Sequence, residues 1–272
     1  MDNIGIFKQA DCCFMNQTDR YTGFTLIELL IVIAIVCLLV AILLPAFSLA
    51  RKVCQRTACQ GNIKQVAYAW HMYLDDYDGL FYHSLRADTL YGGWKSLKYP
   101  TAQRPLNPYL SLSDLPEKER DAKVLKCPCD MGDIGTQGFS SFSYRGASYR
   151  TNILMIGQEQ IGPLAGDETE QLLELKNEIN IRLPNLRRDQ VDKPERLLLV
   201  GDAPWGVQWL PLPYGQGPVW HNRPIHYNLA FLDCHIGFLR VQKGVFVAND
   251  YTVIPFEDLY GLAREAQSNP DD

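Results

Sequence analysis

Glu28 is the only charge between Phe24 and Leu44, a run that reads FTLIELLIVIAIVCLLVAILL. A carboxylate in so apolar a helix is costly in lipid, and such groups are usually functional. Gly23, just before the run, offers backbone without a side chain, which lets a protease approach closely. The cysteines are the second chemical group. There are eight: Cys12 and Cys13 precede the run and Cys37 lies in it, which leaves Cys54, Cys59, Cys127, Cys129 and Cys234. Outside the cytoplasm such residues can form disulfides. Cys54 and Cys59 are not expected to bond with each other within one straight helix. A zinc site is disfavoured, because Cys127-Pro128-Cys129 has one spacer residue where paired zinc ligands usually have two to four. His221, His226, Asp233 and His235 form a third group, either a metal or hydrolytic cluster or structural residues on a turn and two strands. Asp75, Asp76 and Asp78 before Gly79 echo a calcium loop, but no glutamate stands at the twelfth loop position, so a solvated helix end is the simpler reading. Trp205, Trp209, Tyr214 and Trp220 lie among prolines and glycines, as a sugar- or partner-binding surface or as packing. No phosphate loop and no Ser-His-Asp nucleophile motif is present, so neither catalysis nor a metal cofactor is expected.

The elements that must position these residues follow from patterning. A hydrophobic share of 47% and a charged share of 21% exclude a disordered chain and allow a packed core. The net charge of -5 shows no basic stripe for a nucleic acid. At about 1.5 Å per residue, 24–44 as a helix spans roughly 30 Å of hydrocarbon. A buried core helix rarely stays apolar on every face for so long. A secretory signal would place small residues after the apolar stretch. Here Gly23 precedes it, and Ala41 and Ala46 flank Leu43, Leu44 and Pro45, which makes a poor cleavage site. After Pro45 the pattern turns amphipathic, with Ile63, Val66, Ala67, Trp70, Tyr73 and Leu74 on one stripe and Arg56, Gln60, Lys64 and Gln65 off it. One helix is expected over 24–78, its membrane half 24–44, ending near Asp76 at an Asp78-Gly79 stop. Pro45 should kink or melt it near Ala41. Residues 79–272 are expected to form a globular α+β head, an antiparallel sheet lying on the helix. The expected strands are 142–150, 196–201, 228–232 and 236–241, with a short helix over 168–178.

The segment Thr22-Gly23-Phe24-Thr25-Leu26-Ile27-Glu28 resembles the processing site of type IV prepilins and type II secretion pseudopilins. The resemblance implies that a prepilin peptidase removes residues 1–23 by cutting between Gly23 and Phe24, and that Phe24 is then N-methylated. It makes Glu28 the fifth residue of the mature chain, facing the positive amine of a neighbouring subunit, and Pro45 the twenty-second, where proline is common. Large pseudopilin-like proteins are also resembled by Cys59-Gln-Gly-Asn62-Ile-Lys64-Gln65 with Tyr73-Leu-Asp75-Asp76, and by Cys127-Pro128-Cys129-Asp130 before Ser143-Tyr144. Asn228-Leu-Ala-Phe231-Leu-Asp233-Cys234-His235 is similar to their C-terminal signature, in which a histidine precedes Asp-Gly by nine residues. Here the histidine position is Arg223, flanked by His221 and His226, and the glycine is Cys234. A disulfide is expected between Cys127 or Cys129 and Cys59 or Cys234; Cys129 and Cys234 are both gained against that pattern, which points to a pair between them.

The expected partners are prepilin peptidase, other pilin or pseudopilin subunits, an inner-membrane assembly platform and membrane lipid, with no nucleic acid. The expected place is a single pass through the inner membrane with the head outside the cytoplasm, or a surface filament. Arg51, Lys52 and Arg56 after the span, against Lys8 and Arg20 before it, point the other way by charge alone. The processing site outweighs them, since the peptidase acts at the cytoplasmic side. Three readings follow: a structural subunit of a pilus or pseudopilus, a pilin-anchored binding or adhesion protein, and an enzyme on a pilin stem.

Overall fold

Helix α1 (Leu26–Asp76) runs the length of the stem. The computed structural model describes residues 25–84, 87–112, 119–133, 135–156, 164, 169–209 and 219–267. It divides into two units, Met1–Ser48 and Leu49–Asp272. In the first, every described side chain is exposed, from Leu26 at 82% to Phe47 at 71%. The helix passes Pro45 without interruption, so no melt occurs there. Proline deletes a single N–H bond, and the bonds on either side hold the turn together.

In the second unit the α1 stripe is buried, with Ile63, Val66, Ala67, Trp70 and Leu74 fully covered. Burial of each such side chain is worth roughly 2 kcal/mol, so the stripe is a main fastening of helix to head. The helix stops where expected. Asp78 and Gly79 both take left-handed φ, 52° and 78°. The Gly79 N–H reaches back to the Leu74 carbonyl at 2.6 Å, closing the helix end.

The sheet is four-stranded and antiparallel, in the order β1 (Tyr149–Thr151), β2 (Leu198–Asp202), β3 (His226–Phe231), β4 (Ile236–Arg240). Strand β2 is buried along its whole length, and its leucines share one core with the α1 stripe. The head is therefore mixed α+β, with Asn62 on α1 donating to the Tyr149 hydroxyl at 3.2 Å.

The expected strand over 142–150 is corrected. Only its end is strand β1; before it lies helix α3 (Ser141–Arg145). Its start is held by side chains: Ser140 accepts from the Ser143 N–H, and the Asp130 carboxylate accepts from the Ser141 and Phe142 N–H groups, both at 2.8 Å. A carboxylate at a helix N-terminus satisfies donors the helix itself leaves open. Helix α2 (Ala87–Leu90) is a single turn, and α5 (Tyr260–Ala266) closes the described chain. Helix α4 (Glu170–Arg182) runs four residues past the expected end at 178; residue 168 lies outside the described residues.

Candidate functional site

Four chain segments meet at the centre of the head. Cys59 comes from α1, Cys127 from the segment before α3, Asp202 from the end of β2 and His221 from a short helical turn before β3. All four are buried, and their ligand-type atoms lie within 4.8 Å of one another. Cys59 and Cys127 are joined as a disulfide with Cα atoms 5.3 Å apart. His221 Nε2 lies 3.2 Å from Asp202 Oδ2 and 3.7 Å from Cys127 Sγ. Asp202 Oδ2 also accepts from the Asn228 backbone N–H at 2.7 Å and from its side-chain amide at 3.1 Å. Asp202 Oδ1 and His221 Nδ1 are buried with no hydrogen-bond partner. Unpartnered buried polar atoms are rare and call for a reason. His221, Asn222 and Ile225 all take left-handed φ, 57°, 59° and 51°. That backbone is strained for a β-branched residue such as Ile225.

The surrounding segment is organised by Asp130. Its carboxylate accepts from the N–H groups of Gly132, Ser141 and Phe142 and from the Ser148 hydroxyl at 2.6 Å. Burial pushes its carboxyl above the usual range, against the pull of those four donors. Asp133 behaves oppositely. Burial alone would raise it, but the Arg150 charge, the two-bond Arg145 pair at 2.5 and 2.7 Å and the Gly135 N–H together hold it below the ordinary carboxylate range.

At the other end of the chain, Thr25 and Glu28 form a reciprocal cap at the start of α1. The Thr25 N–H and hydroxyl both donate to Glu28 Oε2, at 2.9 and 2.8 Å, and the Glu28 N–H returns to the Thr25 hydroxyl at 3.3 Å. A threonine with glutamate three residues on is the capping-box spacing. The apolar stretch that follows is long enough to cross a membrane, and none of it is buried by protein.

A family model described as the prokaryotic N-terminal methylation motif matches residues 19–44. With the long apolar helix, that motif fits a type IV prepilin-like protein. No curated protein and no solved structure matches the chain. The motif supports a type IV pilin-like substrate of prepilin peptidase and implies assembly with other pilin subunits, and the long apolar helix fits a single-pass membrane anchor.

The other sequence candidates distribute as follows. Gly23 and Phe24 lie outside the described residues. Cys129 and Cys234 are free thiols, which corrects the inference that the two gained cysteines pair. Cys129 Sγ is turned to Gln55 on α1, at 3.8 Å from its Oε1, while Cys234 sits in the β3–β4 turn. That turn is built from Leu232, Asp233 and Cys234, with Cys234 at φ 70° in the place that favours glycine. The histidines do not cluster. His235 pairs with the exposed Asp233 at 2.6 Å, His226 bonds the Pro224 carbonyl, and only His221 turns inward. Position 223, where the resemblance places a histidine, is exposed; His221, two residues earlier, takes the buried place. Trp205, Trp209 and Trp220 are core residues, and Tyr214 is outside the described residues. Asp75 pairs with Arg188 at 2.8 Å and Asp76 accepts from the Tyr109 hydroxyl at 2.7 Å, as a helix end does. Sequence reasoning missed Asp202, which no motif surrounds, and the Thr25–Glu28 cap, whose spacing was there to be read.

Proposed function

We propose that the chain is a structural subunit, a minor pilin or pseudopilin, of a type IV pilus or a type II secretion-like pseudopilus. The observation that carries this reading is the methylation motif running directly into an apolar helix that no protein covers. Removal of residues 1–23 between Gly23 and Phe24 frees an amine on Phe24, which is N-methylated. Residues 24–44 sit in the inner membrane, and the head 79–272 stands outside the cytoplasm. The inner-membrane assembly platform then adds the subunit to a filament.

Glu28 sets the register in this scheme. Its cap with Thr25 holds the carboxylate at the first turn of α1, close in sequence to the freed amine. In a filament the amine of a neighbouring Phe24 is its counter-charge. A neighbour shifted along the axis leaves both charges unpaired in low dielectric. Trp205, Trp209 and Trp220 are buried, so among the described residues the aromatic loop surface that suggested adhesion has lost its tryptophans.

Two measurements test the proposal. Mass spectrometry of the membrane form should show a chain beginning at methylated Phe24; retained Met1, or a soluble head cut near Ala46, rules the reading out. Glu28→Leu should insert and be processed yet be lost from sheared or cross-linked filaments. Normal incorporation of the processed variant would show that the carboxylate does not set the register.

A further inference from the structure

We propose that Cys59, Cys127, His221 and Asp202 form a buried site that binds one zinc ion when the Cys59–Cys127 disulfide is reduced. The metal then holds four segments where the disulfide joins two of them.

The donor set and its close spacing suit a closed four-coordinate site. Zinc takes thiolate sulfur at about 2.3 Å and imidazole nitrogen or carboxylate oxygen at about 2.0–2.2 Å, so its ligand atoms stand roughly 3–4 Å apart. The four donor atoms here already lie within 4.8 Å of one another. His221 Nε2 is the nitrogen that faces both Cys127 Sγ and Asp202 Oδ2, at 3.7 and 3.2 Å, so it is the ligating atom. Two thiolates, one imidazole and one carboxylate make a borderline-soft set that suits zinc better than calcium or magnesium.

Independent of that geometry, the site contains a polar atom the protein does not satisfy. The side chains of Asp202 and His221 are both fully buried. Asp202 Oδ1 lacks a partner. A cation at Asp202 neutralises a carboxylate that no arginine or lysine is paired with among the described ion pairs. The outer contacts also suit a thiolate. The Cys129 N–H points at Cys127 Sγ at 3.4 Å, and the Cys127 N–H is fixed by the Ser148 hydroxyl at 2.9 Å. Such second contacts orient a ligand and hold its charge.

The steps balance as follows. A phosphine or dithiol reductant delivers two electrons and is itself oxidised, the S–S bond breaks, and each sulfur takes up a proton. Zinc then displaces both protons to solvent and forms two Zn–S bonds. In the oxidised chain the sulfurs are bonded to each other and neither is a thiolate, so the disulfide and the metal exclude each other.

The test uses the processed full-length chain in detergent, air-oxidised or reduced anaerobically with a phosphine. After zinc addition and desalting, the reduced chain should retain one zinc and the oxidised chain none. Cobalt should give thiolate-to-metal charge-transfer absorption in the reduced chain only. His221→Ala should weaken zinc binding by more than about tenfold, and His235→Ala should leave it unchanged. Should His221→Ala not fold, alkylation of the wild-type chain decides the matter. Zinc should slow modification of Cys59 and Cys127 and leave the exposed Cys54 unaffected. A reduced chain that holds no zinc, zinc held equally by His221→Ala, or unchanged alkylation of Cys59 and Cys127 each overturns the site.

Discussion

Removing the Cys59–Cys127 bond should lower the stability of the head by about 4 kcal/mol. The two residues are 68 apart in sequence. A cross-link over such a loop restricts the unfolded chain by roughly 15 cal/mol/K, or about 4 kcal/mol at room temperature in the chain-entropy account. Both sulfurs are fully buried, so Cys59→Ala with Cys127→Ala also loses a little packing, which adds to the loss. The tryptophans all lie beyond residue 48, at 70, 94, 205, 209 and 220, so their fluorescence reports the head alone even with the apolar helix in detergent micelles. The assay is urea unfolding of the full-length chain, oxidised and reduced, with a chelator present to keep metal away. Reduced wild type and the double variant should unfold at similar, lower midpoints. A thermal scan should show a fall of about 10 °C or more, since a domain of this size moves roughly 2–4 °C per kcal/mol. A loss below about 1 kcal/mol on reduction would refute the reasoning. It would mean that Cys59 and Cys127 already stay close in the unfolded chain, so the bond restricts little.

Two further outcomes follow from the head. Asp133→Asn should cost about 3–5 kcal/mol at neutral pH, because it strands the buried Arg145 charge. Asp133 has a folded pKa below its unfolded value of about 3.9, so its stabilisation is full above that pH and is lost as pH falls through the lowered folded value. Asp130, pushed upward, contributes the opposite slope and is present in both proteins. The variant should therefore lose stability less steeply with acid, below about pH 4, by up to about 1.4 kcal/mol per pH unit; equal slopes in denaturant titrations from about pH 4 downward would contradict the assignment. Cys234→Gly should be neutral or stabilising by up to about 1 kcal/mol, because glycine occupies φ 70° without the cost a Cβ brings. A clear fall in the unfolding midpoint would show that the thiol's packing outweighs the strain.

The stem was legible because its periods are long. An unbroken apolar run needs no partner to be recognised, and the 63-66-67-70-73-74 stripe repeats often enough to fix which face is buried. The edges of β2, β3 and β4 were read to within a few residues for the same reason. Helix α3 was not, since its start depends on the Asp130 carboxylate, which approaches from eleven residues upstream. The central cluster was legible only in part: Cys59 and Cys127 were named as disulfide candidates and His221 as a candidate site residue, but Asp202 was not. Its four residues come from positions 59, 127, 202 and 221, and no local spacing marks them as neighbours. The count of nine residues put the resembled histidine at Arg223, whereas His221 takes the buried place. Three left-handed residues in the turn before β3 let the chain take up the difference.

The place of the disulfide along α1 has a mechanical meaning. Cys59 is the first buried residue of that helix, and the stripe behind it continues for about 25 Å to Asp76. Tension applied through the stem would otherwise peel the stripe from the head one contact at a time, starting at its membrane-proximal end. The covalent bond sits at that starting point. The load passes into the Cys127 segment before any apolar contact feels it, and the stripe behind is shielded while the bond holds. In the filament proposed above, a subunit built this way would resist being drawn out by the strength of a bond rather than by the slow failure of a zipper.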